Sequence, residues 1–117
     1  MQGKRTDRLG EQIRLEISDI IERELADPRI GFTTVTGVQL SSDLGHAKVF
    51  ISVIGEAEAR EHTLRGLNSA RSFIRRQLSR RLHHLKHVPE LAFRYDESLE
   101  RGNRIEELLH KIHEDEM

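Results

Sequence analysis

Between Arg71 and His87 the chain carries Arg71, Arg75, Arg76, Arg80, Arg81 and Lys86, with His83, His84 and His87 among them and no acidic residue. Three chemistries are open to such a stretch. His83 and His87 stand four apart, the spacing at which a helix offers two imidazoles to zinc. The Glu of an H-E-x-x-H motif is missing, however, and the cationic neighbours oppose a metal ion, so no metal site is expected. General acid–base chemistry would need a His set against a second His or a carboxylate. His62, His83, Glu90 and Asp96 are the right types, but no motif arranges them. No nucleophile, Gly-rich phosphate loop or metal constellation accompanies them either, so the chain reads as a non-enzyme with no cofactor. The third chemistry is the binding of an anion rich in phosphates. The whole chain has a formal net charge of −1, so its positive charge is segregated rather than abundant. A charged helix face normally mixes signs, because opposite pairs support it locally. A run of cations alone is the electrostatic footprint of a nucleic-acid partner, and RNA leads. Contacts of this kind position a protein without reading sequence, and protonation of the histidines would strengthen them.

Composition bounds the rest. At 117 residues there is room for one domain, 1–117, with about 1–5 and 114–117 expected to be disordered. The hydrophobic fraction is 36% and the charged fraction 33%, so the core must be economical. Aromatics make up 4% with no Trp, too few for a surface that stacks single-stranded bases. The absence of Cys excludes disulfides, thiolate metal sites and thiol nucleophiles. No apolar run has the length of a signal peptide's core or a membrane span, which predicts a soluble, cytoplasmic protein with no membrane partner. The free protein is expected to be a monomer. Two further charge blocks flank the stripe. Lys4, Arg5 and Arg8 form a basic arm that either joins the RNA-binding surface or is simply solvated. Glu97, Glu100, Glu106, Glu107, Glu114, Asp115 and Glu116 make the C-terminal segment acidic.

The elements that must position these residues follow from periodicity. Leu9, Ile13, Ile17, Ile20, Ile21 and Leu25 repeat at helical spacing from about Thr6 to Ala26, and Asp27-Pro28 stops the helix. Arg29 is read as a turn residue that pairs with Asp27 or a helix C-terminal carbonyl. Phe32–Ser41 and His46–Ile54 are rich in Val and Thr or alternate, and Ser42–Gly45 supplies a turn, so they predict an antiparallel hairpin. Phe32, Phe50, Phe73, Phe93 and Tyr95 read as core or sheet-face residues. Phe50 and Ile54 would be exposed if helices cover the opposite face. A helical period runs from about Glu56 to Leu85, too long to be unbroken. Its weakest helix-forming point is Ser69–Ser72, where the break is placed. On the second half, Arg71, Arg75 and Lys86 should lie near one another, Arg76 and Arg80 form an adjoining row, and Arg81 flanks the stripe on the other side. Pro89 opens a third strand, and Leu99–His113 reads as a last helix. The fold class is therefore α+β, a two-layer sandwich with a three-stranded sheet and helices on one face.

The order α-β-β-α-α-β resembles the type II KH fold. The chain carries R-x-x-R-L-G-E-Q-I (Arg5–Ile13), D-P-R (Asp27–Arg29), and L-S-x-D-L-x-x-A-x-V-F-I-S-V (Leu40–Val53). S-A-R-S-F-I-R-R-Q-L (Ser69–Leu78) and V-P-E-L-x-F-x-Y-D-x-S (Val88–Ser98) follow. In this order and spacing the segments, which cover most of the chain, resemble the ribosome-binding factor A family. The resemblance implies a non-enzymatic factor that binds the immature 30S subunit, contacts 16S rRNA, assists late assembly and rRNA processing near the 5′ end, and leaves when maturation is complete. A link to cold adaptation is also implied. The G-x-x-G loop with which KH domains clamp single-stranded RNA is absent. The family's A-x-G kink aligns with Ala70-Arg71-Ser72, and Ser72 in place of Gly would make a left-handed backbone there costly. The other class of function open to the sequence is a protein-interaction adaptor, using the acidic C-terminal helix and the outer sheet face.

Overall fold

Ile13, Ile17 and Ile20 are wholly buried, 0% exposed, because helical spacing aligns them on one side of α1 (Gln2–Glu24). The computed structural model describes residues 2–98, with side chains from Thr6 onward. The helix starts earlier than its apolar repeat does: no proline precedes Thr6, and the backbone is already helical at Gln2 despite Gly3. It ends at Glu24, ahead of Asp27-Pro28, where Asp27 and Arg29 form a tight turn. The expected last helix and the acidic residues beyond Ser98 lie outside the described residues.

The hairpin forms as β1 (Thr33–Leu40) and β2 (His46–Val53), paired antiparallel. Between Val35 and Gly37 the register shifts, leaving Thr36 as an extra residue in a β-bulge. Its hydroxyl lies 2.6 Å from Asp96 Oδ2, just past the third strand. In the hairpin turn Leu44, rather than Gly45, takes the left-handed conformation, with φ 61°. The Asp43 carboxylate accepts from Gly45 N–H and pairs with the Ser41 hydroxyl, which fixes the turn that imposes it. The third strand, β3 (Glu90–Tyr95), pairs parallel with β2, so β2 is central.

Alternation along β2 puts Ala47, Val49, Ile51 and Val53 under the helices. Leu91 and Phe93 of β3 lie opposite Ala47 and Val49 and are buried with them. α1, α2 (Ala57–Ser69) and α3 (Arg71–Arg81) all cover this face, giving the expected α+β, KH-like two-layer domain. Each such buried aliphatic contributes about 1.5–3 kcal/mol over an exposed one, which is how a modest apolar content holds the fold. Gly66 lets α2 approach the turn after α1, since a Cβ there would lie 2.8 Å from Ile30 Cγ1.

The helices part at Ala70, with φ −88° and ψ 3°. Its N–H still bonds Gly66 O, and its carbonyl already accepts from Ile74 N–H, so one residue ends α2 and begins α3. That backbone region is open to any L-residue. Ser72 lies inside α3, and among the described non-glycine residues only Leu44 has a positive φ. The cost expected for Ser72 therefore does not arise. α3 also ends earlier than its apolar period implies. Leu82, with φ −110° and ψ 50°, caps it and keeps its side chain in the core, and Leu85 packs partly beneath the loop. The chain must reverse there to feed Val88-Pro89 into β3.

Candidate nucleic-acid interface

The early end of α3 moves part of the basic stripe off the helix. Arg71, Arg75, Arg76 and Arg80 stay on its exposed side, whereas His83, His84, Lys86 and His87 belong to the 82–89 loop. The helical spacing of His83 and His87 is thus not realised. The expected angular alignment of Lys86 with Arg71 and Arg75 also fails, but Lys86 returns by another route. The loop folds back so that Lys86 and His87 share a hollow of about 400 Å³ with Ser72, Arg75, Arg76 and Ser79. No carboxylate lines it.

Within this hollow the arginines differ. Arg75 donates from Nη2 at 2.9 Å and from Nε at 3.3 Å to the carbonyl of Val88, which fixes its guanidinium across the start of β3. Arg71, Arg76, Arg80 and Lys86 are exposed and form no salt bridge among the described residues. A second hollow adjoins the first along Arg71, Ser72 and Arg75, with Glu90 at its far side. Of the N-terminal cations, Lys4 and Arg5 fall on the first turns of α1, and Arg8 lines a third hollow with Leu9, Leu44 and His84. The 82–89 loop thus connects the end of the molecule bearing Arg8 with the face bearing Arg75 and Arg76.

Arg81 is the member of the stripe that the structure sets apart. It turns toward α1, where its Nη1 lies 2.7 Å from Asp19 Oδ2 and 3.0 Å from Glu16 Oε2, and its Nη2 lies 3.1 Å from Glu24 Oε1. Arg81 does flank the stripe, but its guanidinium is held by three carboxylates of α1 and its side chain is only partly exposed. These partners raise the arginine's pKa, and the hydrogen bond from Arg81 is the main cause that holds the Asp19 carboxyl below its ordinary value. Likewise the Arg29 side chain and backbone N–H hold Asp27 low, which makes Arg29 the turn residue expected of it.

A stability consequence follows. A carboxyl whose folded pKa is depressed contributes stability above its unfolded pKa and loses it as pH falls through the folded value. The α1–α3 clasp should therefore weaken below roughly pH 4, where free carboxylates titrate. Arg81→Met keeps the stem and removes the charge. It should cost about 1 kcal/mol, roughly 3–6 °C in Tm, at neutral pH, with a shallower acid dependence than the parent. Thermal melts between pH 7 and 3 would show this, and an unchanged Tm with unchanged acid slope would mean that the clasp carries no stability.

The outer sheet face is bare among the described residues. Ile54 is 76% exposed, as expected, while Phe50 is only partly exposed. Phe32, read from sequence as a core or sheet-face residue, is 78% exposed beside Ile54, whose N–H bonds its carbonyl. No described helix is long and apolar enough to cross a membrane, and no described cluster of three His, Asp or Glu could hold a metal. The sequence reading named Ser72 only as part of the kink and left Ser79 out, yet both line the hollow. Their separation by seven, two helical turns, was the available signal.

Residues 5–109 match the family described as ribosome-binding factor A. Ribosome-binding factor A of Natranaerobius thermophilus is 50% identical over 112 residues, 96% of this chain and 85% of that protein. The Halothermothrix orenii protein of the same name is 52% identical over 116 residues, 99% of this chain and 94% of that protein. The crystal structure of ribosome-binding factor A from Thermus thermophilus superposes with a TM-score of 0.69 at 29% identity, covering 77% of this chain and 93% of that one. A Thermotoga maritima solution structure, of a protein described as a putative member, gives a TM-score of 0.70 at 33% identity, covering 77% and 85%. A homology model of the Thermus thermophilus factor, fitted into a cryo-EM map of a 30S complex of that factor, gives 0.64 at 28% identity, covering 79% and 96%. With the match spanning nearly the whole sequence and the same helices and sheet recovered in solved relatives, the chain belongs to the ribosome-binding factor A family.

Proposed function

We propose that this protein is a cytoplasmic, non-catalytic maturation factor that docks as a monomer on the immature 30S subunit through 16S rRNA and assists late assembly and rRNA processing. The observation that carries the reading is the acid-free hollow between α3 and the 82–89 loop, where Arg75, Arg76 and Lys86 converge. Arg71 and Arg80 extend it along the helix, and Arg8, with Lys4 and Arg5 on the preceding turns of α1, extends it past the loop. Arg81 is left out of the contact set because α1 already holds it. The fitting of a relative into a 30S complex supports the same partner. Binding would stabilise one conformation of an rRNA segment, a population shift with no chemical step. The exposed Phe32–Ile54 pair, where β1 begins and β2 ends, favours a second reading for that end of the sheet, as a contact for a protein partner.

Salt dependence tests the electrostatic part. If Arg71, Arg75, Arg76, Arg80 and Lys86 each neutralise one phosphate, the logarithm of the affinity for 30S precursors should fall linearly with the logarithm of salt concentration. The slope should be roughly −3 to −5. A slope near zero would remove phosphate contact as the basis of docking.

A further inference from the structure

We infer that the hollow on α3 is a groove for consecutive phosphodiesters of one RNA strand, in which Arg75, Ser72 and Ser79 act through geometry and the neighbouring cations through charge alone. The inference rests on the proposed rRNA docking and deepens it.

Three observations support it. First, Arg75 is not a free side chain. Its bonds to the Val88 carbonyl hold the guanidinium in place, so its remaining N–H groups are aimed before any ligand arrives. A planar guanidinium with donors in a fixed fork suits phosphate oxygens in a way that an ammonium does not. Second, Ser72 and Ser79 are exposed on the same side of α3, seven residues and about 10 Å apart along its axis. Arg75 and Arg76 lie between them. That span exceeds one phosphate group, so the two hydroxyls cannot serve the same one; a strand laid along the helix would meet them in turn. Third, Lys86, His87 and Val88 of the loop line the same hollow as Ser72, Arg75, Arg76 and Ser79 of the helix. The result is an open depression to which two elements bring cations and one brings hydroxyl donors. Nothing in it could read a base edge, so it would hold a backbone without selecting a sequence.

The test uses the full-length protein, a short fluorescein-labelled single-stranded RNA, and 30S precursors. Each of Arg75→Lys, Arg80→Lys and Ser72→Ala with Ser79→Ala keeps the number of positive charges. The salt slope should therefore be the same in all of them, because it counts neutralised phosphates. Arg75→Lys and the double Ser variant should each weaken RNA binding about tenfold by losing oriented donors, whereas Arg80→Lys should stay within about twofold. Arg75→Lys also disturbs the tie to β3, so the double Ser variant, which leaves that tie intact, carries the conclusion should Arg75→Lys melt early. If the serine changes are silent and Arg75→Lys behaves like Arg80→Lys while reversal of charge on α3 still abolishes binding, the groove is wrong and the docking reading stands. If charge reversal also leaves 30S binding intact, the docking reading itself falls.

Discussion

Arg75→Glu, Arg76→Glu and Arg80→Glu together are expected to abolish co-sedimentation with 30S precursors, a loss of at least about a hundredfold in affinity, while the protein stays folded. Each change removes a positive charge facing the ligand and puts a negative one in its place, so three attractions to phosphate become three repulsions. All three side chains are exposed, and Arg76 and Arg80 make no ion pair among the described residues, so their loss leaves no buried charge unpaired. Only Arg75 contributes a bond to the fold, to Val88 O, and the expected fall in Tm is a few degrees at most. Reversal also relieves the mutual repulsion of the arginines along α3. Co-sedimentation in low salt and a thermal melt of the same sample decide the matter. Survival of binding in the triple variant would show that α3 is not the docking surface.

One residue away from Arg75 the opposite outcome is expected. Ile74→Ala should lower stability by about 2–5 kcal/mol, because Ile74 is 0% exposed and its loss opens a cavity between α3 and the sheet. For a domain with about 5–15 kcal/mol in total, that is a large fraction, roughly 10–20 °C in Tm. Yet the side chain faces away from the groove, and affinity for 30S precursors measured well below the new Tm should change less than about twofold, since only the small unfolded fraction fails to bind. Calorimetry paired with binding at low temperature would separate the effects. A fall in affinity as large as that of the triple reversal, at a temperature where the variant is fully folded, would mean that the core position sets the shape of the groove.

These neighbouring residues also show what the sequence makes legible. Ile74 and Leu78 repeat at helical spacing and Arg75 and Arg76 stand off that repeat, so periodicity alone assigns one pair to the core and the other to solvent. Asp27-Pro28 and Pro89 are chemical stops and were legible for the same local reason. What failed is non-local. Leu82 and Leu85 continue the apolar period beyond the end of α3, because a loop that folds under the core needs apolar residues as much as a helix does. Arg81 looked like any cation of the stripe because its partners, Glu16, Asp19 and Glu24, lie on a different helix. Lys86 reached its place by a chain reversal that no spacing rule contains. Phe32 is the remaining surprise: read as a core or sheet-face residue, it stands just ahead of β1 and is 78% exposed, beside a hollow it shares with Ile21 and Leu25. Ala70 was legible as a weak point of helix, whereas the supposed need for glycine at Ser72 was not a property of this backbone.

The bulge at Thr36 has a consequence for self-association. β1 is an edge strand, and an edge is a row of unpaired amides and carbonyls onto which a strand of another copy can add. An extra residue in the middle of that row breaks its repeat and increases its local twist, so an incoming strand finds no straight template longer than a few residues. The Thr36 hydroxyl is tied to Asp96, which makes the irregularity hard to flatten out. A sheet that leaves Phe32 and Ile54 exposed at one end is thereby guarded along its β1 edge, where strand addition by another copy is disfavoured.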